Sequence, residues 1–147
     1  MSFVQLYLGP RRGVLVCMDR TDDGLLVFGP VRSFDPSLAD AALGALVLEQ
    51  LAVPTRVVPR VTNWKGLLVP FLEAANERSW LGGQKKFLRA LVKRYTGRLV
   101  IVATCNGGAS GDEKGFHDLT DVSQELLPPW SASGVGAEIR MSFARCT

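Results

Sequence analysis

The chain has 147 residues, 47% of them hydrophobic and 21% charged, with a formal net charge of +3. That length suits one domain with a real core, and that composition excludes a disordered chain. No run approaches the roughly 18 consecutive apolar residues that a membrane span needs, and the N-terminus has no secretion-signal pattern, so we expect a cytoplasmic protein.

Alternation and β-formers predict strands over Phe3–Leu8, Val14–Met18 and Leu25–Phe28, joined by tight Gly- and Asp-containing turns as an antiparallel meander. Asp35 followed by Pro36 predicts a helix start, with the helix running to about Leu51. Residues 52–61 read as irregular or extended because of Pro54 and Pro59. Asn63–Gly66 reads as a turn, and Pro70 as the start of a short helix ending near Asn76. Gln84–Tyr95 reads as a basic amphipathic helix. Phe87, Leu91 and Tyr95 form its apolar face, Lys85, Lys86, Arg89, Lys93 and Arg94 its outer side, and Gly97 the residue that ends it. Leu99–Ala103 is apolar throughout and predicts a strand at the centre of the sheet. After a Gly-rich loop over Asn106–Gly111, Phe116–Leu119 is a short strand candidate and Val122–Leu127 reads as another short strand or one helical turn. Ser131 or Ser133 caps a final helix over Val135–Cys146, with Val135, Ile139, Phe143 and Cys146 facing inward and Glu138 and Arg145 reaching solvent. Together the elements predict an α+β fold: a single domain over residues 1–147, with a mostly antiparallel or mixed β-sheet and packed helices.

Charge is unevenly distributed. Arg78 to Arg98 holds seven basic residues and no acidic one, whereas Asp112 to Glu125 holds five acidic residues and one Lys. Separate basic and acidic patches suit docking on a charged partner. The candidate contact residues are therefore Asp112, Glu113, His117, Asp118, Asp121 and Glu125, with Trp130 as an aromatic anchor. The secondary candidates are the basic residues Lys85, Lys86, Arg89 and Lys93, which could meet phosphates if the helix 84–94 served a nucleic-acid-binding module.

Catalytic signals are sparse. His117 is the one histidine, and a hydrogen bond to Asp118 or Asp121 is the basis of a hydrolytic alternative. The Gly-rich loop lacks the Lys-Ser/Thr ending of a phosphate loop, and Cys17, Cys105 and Cys146 lack metal-site spacing. The reading is of a non-enzyme without metal or cofactor.

Three segments also carry a family resemblance. They are Arg78-Ser79-Trp80 with Lys86-Phe87-Leu88; Val100–Cys105 with a following Gly loop and Gly115-Phe116; and the tail Val135–Cys146. Over about residues 78–147 the chain resembles the immunity proteins of contact-dependent growth inhibition, in a class long treated as a domain of unknown function. Glu138 and Met141 stand where that family more often has small or aliphatic residues. The resemblance implies a protein that binds the C-terminal toxin domain of a delivered surface protein, one to one, and neutralises it without chemistry of its own. The toxin is often a nuclease such as a tRNase.

Overall fold

The computed structural model describes residues 1–147. Strands β1 (Ser2–Leu8), β2 (Gly13–Thr21) and β3 (Leu26–Phe34) form the expected antiparallel meander. Helix α1 (Asp40–Ala52) begins five residues later than Asp35. The Asp35 carboxylate instead accepts from the Ser37 amide at 2.8 Å and closes a separate turn. A two-residue strand, β4 (Val57–Val58), lies parallel to the end of β2.

Helix α2 (Trp64–Ala75) starts inside the segment expected to be a turn, because the Asn63 side chain caps it at the Gly66 amide. Pro70 therefore lies within the helix and not at its start. Asn76 ends it in the left-handed region with φ 55°. Ser79 caps the short α3 (Trp80–Gln84).

The expected basic helix is absent. Leu88–Tyr95 is strand β5, paired on one side with β1 and on the other with β6 (Arg98–Asn106). Ala90, Leu91 and Val92 are all buried, since helices cover both faces of the sheet here. The fully buried run is only Ala90–Val92, flanked by Arg and Lys residues, and a run that short does not let sequence period tell a strand from a helix. Gly97, with φ 77°, makes the tight turn between β5 and β6 and ends no helix.

Strands β7 (Phe116–Asp118) and β8 (Gln124–Leu126) flank a single 3-10 turn at Thr120–Val122. Helix α4 (Ala132–Arg145) is capped by Ser131. The sheet order is β3-β2-β1-β5-β6-β7, with β8 also on β6. β6 is thus interior but not central. Its outer edge pairs with β8 along Leu99–Ile101 and with β7 along Thr104–Asn106.

Two apolar clusters sandwich the sheet. α1 and α4 cover one face through Leu43, Val47, Leu51, Val135, Ile139 and Phe143. α2 and Trp80 cover the other, where Phe71 packs edge-on against Tyr7 at 4.8 Å between ring centroids. α1 and α4 touch at glycines. A Cβ on Gly44 would meet the Ala132 carbonyl oxygen, and one on Gly136 the Asp40 carbonyl oxygen. No helix is long and apolar enough to cross a membrane.

Candidate functional site

Six of the seven primary candidates lie along the β7-turn-β8 edge and the loop before it. That loop is built by backbone pairing: the Gly107 amide donates to the Gly115 carbonyl at 2.8 Å, and the Gly115 amide to the Gly108 carbonyl at 2.9 Å. Asn106 fixes its base by donating from Nδ2 to the Gln84 and Phe87 carbonyls at 2.6 and 2.8 Å. Asp112 and Glu113 project from the loop, and Asp121 from the 3-10 turn, all three exposed and without an ion pair.

The other two carboxylates are engaged. Asp118 Oδ1 lies 3.1 Å from Arg89 Nη2, and Glu125 Oε2 lies 3.1 Å from Arg98 Nη1. The expectation of separate basic and acidic patches is thus corrected. Antiparallel pairing folds the acidic segment back across β6, beside the arginines of β5 and β6. His117 is exposed, with Nε2 3.0 Å from the Glu113 carbonyl oxygen and 3.1 Å from that of Lys114. It makes no hydrogen bond to Asp118 or Asp121. Successive strand residues point to opposite faces, so Asp118 turns to Arg89 while His117 lies on the other face of the sheet.

The seventh candidate, Trp130, stands just beyond the edge, between β8 and α4. Its indole Nε1 donates to the Leu126 carbonyl at 3.1 Å, and the Arg94 guanidinium lies 5.2 Å from its ring centroid. Trp130, Arg94 and Tyr95 line an open groove of ≈ 690 Å³ together with Leu51, Pro54 and Thr55. The groove's lining holds no carboxylate side chain.

The secondary basic candidates share no surface stripe. Lys86 Nζ lies 2.9 Å from Glu77 Oε1. Lys93 extends over the Phe3 ring at 5.6 Å, Arg89 is largely buried, and Lys85 is exposed after α3. With the helix 84–94 absent, nothing holds these four in line along a phosphate backbone.

A polar group that the sequence did not single out lies behind the edge. The buried Tyr7 hydroxyl donates to Gln5 Oε1 at 2.5 Å. Burial pushes the Tyr7 pKa up to about 12, against the opposing pull of the nearby Arg89 charge. Arg89 also sits 5.0 Å from the Phe116 ring centroid, so one guanidinium ties β1, β5 and β7 together. Only strand register brings Tyr7 opposite Arg89, and no local motif announces it.

The three cysteines are free and half-buried. Burial and the Asp19 charge push the Cys17 thiol pKa up, and burial does the same for Cys146. No group of three or more His, Cys, Asp or Glu side chains is placed to hold a metal ion. Glu138 and Arg145, expected to reach solvent, are half-buried on α4.

No family model and no curated protein sequence matches the chain. Its fold does match solved structures. One is a protein of unknown function, NMB0488 from Neisseria meningitidis, with a TM-score of 0.78 at 12% identity, covering 99% of this chain and 95% of that one. Another is a chain of the CdiA-CT/CdiI toxin and immunity complex from Yersinia pseudotuberculosis. Its TM-score is 0.73 at 11% identity, covering 99% of this chain and 97% of that one. At such identities the likeness is one of fold.

Proposed function

We propose that this chain is an immunity protein of contact-dependent growth inhibition. It binds the C-terminal toxin domain of a cognate delivered protein, one to one in the cytoplasm, and neutralises it by binding alone. The observation that carries this reading is the fold likeness, over nearly the whole of both chains, to a chain of a toxin and immunity complex. The tail Val135–Cys146, with its family resemblance, points the same way.

The contact surface is the β7–β8 edge. Asp112, Glu113 and Asp121 supply unpaired negative charge, and His117 and Trp130 flank them. A toxin that cleaves nucleic acid, such as a tRNase, holds phosphates with Lys and Arg. Carboxylates at this edge would compete for those cations, giving fast association and selectivity. Asp118 and Glu125 contribute mainly by holding the edge in shape through Arg89 and Arg98.

The test is co-purification with the polypeptide encoded immediately upstream, followed by assay of its nuclease activity in the complex. A 1:1 complex with activity abolished is expected. Replacing Asp112, Glu113 and Asp121 together by Lys should slow association by at least tenfold at low salt. A neighbour without a toxin domain, or full toxin activity at saturating amounts of this protein, would sink the reading.

A further inference from the structure

Arg94, near the end of β5, has no polar partner within the chain. It joins no ion pair and donates no hydrogen bond, whereas Arg12, Arg20, Arg56, Arg89, Arg98 and Arg140 all donate. It is nevertheless half-buried, unlike the exposed Arg11 and Arg78. Its nitrogens still reach solvent: the arginine atoms that are both enclosed and unpaired are Arg89 Nε and Arg145 Nη1. Arg94 thus offers its donors to whatever enters the space in front of it.

That space is the open groove of ≈ 690 Å³ beside Trp130. Val92, two residues earlier on β5, enters the core beneath α1 and α4, so alternation turns Arg94 to the same sheet face. There its guanidinium lies over the Trp130 indole, 5.2 Å from the ring centroid. A guanidinium held over an aromatic face keeps its in-plane N–H fork free for a carboxylate. The facing wall is the end of α1 and the chain after it, Leu51 to Pro54, where Val53 is 54% exposed. The cross-strand neighbours of Arg94 are Ser2 and Leu99, and the Ser2 hydroxyl already donates to the Leu51 carbonyl at 2.8 Å.

Charge decides what fits. Arg94 is the only charged side chain lining the groove. Glu125 on β8 is held by Arg98 at 3.1 Å, and Glu49 on α1 lies 3.8 Å from Arg32, so these two acids face other arginines. Helix α1 has no basic residue in its last turn, which favours a cation nearby, but Arg94 donates to none of its carbonyls. One cation between apolar and aromatic walls selects a single carboxylate with apolar neighbours. A nucleic-acid strand is held by a row of cations, which this groove lacks. The volume falls within the range of about 300–1,000 Å³ typical of ligand pockets, so it admits several side chains and not a lone ion.

We infer that the groove receives an extended acidic segment of the protein partner. One carboxylate takes the Arg94 fork, and an apolar side chain next to it packs between Trp130 and the Leu51–Pro54 wall. The groove adjoins the β7–β8 edge, because Arg94 pairs with Leu99 and Leu99 with Leu126 of β8. The contact therefore changes sign along its length. Asp112, Glu113 and Asp121 meet partner cations, and Arg94 meets a partner carboxylate. A competitor that carries cations alone gains nothing at Arg94, so the groove adds selectivity. The inference rests on the partner-binding reading above and adds to it the sign and place of a second contact.

The experiment uses the full chain with Arg94→Lys, Arg94→Met and Arg94→Glu. Arg11→Glu is the control for overall charge, since Arg11 is exposed in the β1–β2 turn at the opposite end of β1. Thermal unfolding is measured on each free protein, and affinity for the upstream-encoded toxin domain by calorimetry. Arg94→Met should unfold at the wild-type temperature and bind at least tenfold more weakly. Arg94→Lys should fall between the two, and Arg94→Glu should bind weakest. Replacing one toxin carboxylate by Arg should restore binding to Arg94→Glu. Wild-type affinity in every Arg94 variant overturns the inference while leaving the immunity reading intact. An equal loss in Arg11→Glu does so too, since net charge then explains the effect. A lower unfolding temperature at unchanged affinity also overturns it, because Arg94 then serves only the fold. Tighter binding by Arg94→Glu puts a partner cation in the groove, and a short RNA bound by wild type but not by Arg94→Met puts a phosphate there; either overturns it. No toxin binding by the wild-type protein itself defeats both.

Discussion

Arg89 on β5 and Asp118 on β7 meet at 3.1 Å across the intervening strand β6. Arg89 is mostly buried, its side chain 15% exposed, whereas that of Asp118 is 36% exposed. Removing Asp118 leaves a guanidinium in a poorly solvated place. Asp118→Ala should cost about 1–2 kcal/mol, discounted from a fully buried pair because Asp118 is part-exposed. Urea unfolding checks this, and a double-mutant cycle with Arg89→Met isolates the pair. A coupling near zero would mean that the β7 edge is held by backbone pairing alone.

The α1–α4 contact depends on having no side chain at two positions. Gly44→Ala and Gly136→Ala each drive a methyl group into a carbonyl oxygen of the opposing helix. Either should destabilise by about 3 kcal/mol, at the upper end for overpacking, because backbone and not a flexible side chain must move. Gly24→Ala serves as the control. It has open space around its Cβ and a φ of 92°, so it reports left-handed strain without a clash, of about 1 kcal/mol.

Tyr7 makes stability fall at alkaline pH. Its folded pKa is raised to about 12 from 10.0, chiefly by burial. A raised folded pKa favours the protonated form in the native state. Its contribution is therefore complete below pH 10 and is lost as pH rises towards about 12. The Tyr7 phenolate absorbance should emerge only near the top of that window or together with unfolding. Tyr7→Phe should remove this step while losing about 1 kcal/mol at neutral pH from the Gln5 hydrogen bond. A Tyr7 phenolate forming near pH 10 in the folded protein would contradict the burial.

Asp19 on β2 is 4% exposed and takes two hydrogen bonds from Arg56, at 3.2 and 2.6 Å. The pair pins the extended segment carrying β4 beside β2. Arg56→Ala should cost about 1–3 kcal/mol through the unpaired buried carboxylate. Arg56→Lys should recover only part, since a lysine lacks the planar fork. Unfolding of the two variants side by side decides it. Equal stability would show that water replaces the guanidinium freely.

How much was legible in the sequence varied with the locality of the cause. The meander of β1–β3 followed from alternation and tight turns, and the presence of α4 from a serine cap before an amphipathic run, with Ser131 and not Ser133 the cap and the helix starting at Ala132. Each of these depends on residues within a few positions of one another. Helix α1 was also foreseen, but its start was not, because an Asp-Ser hydrogen bond serves a turn as well as it serves a helix cap.

The sequence by itself determined the composition of a folded domain, most of its elements and the excess of carboxylates in residues 112–125. Only the tertiary structure decided that Leu88–Tyr95 is a strand. Its Lys, Arg, Leu and Ala residues favour a helix locally, but two flanking strands supply hydrogen bonds and two helical layers bury both faces. That outcome dissolved the basic helix and carried Arg89 across to Asp118. Charge along a chain is a local property. Which charges face one another depends on strand register and helix placement, and those are set by burial across the whole domain.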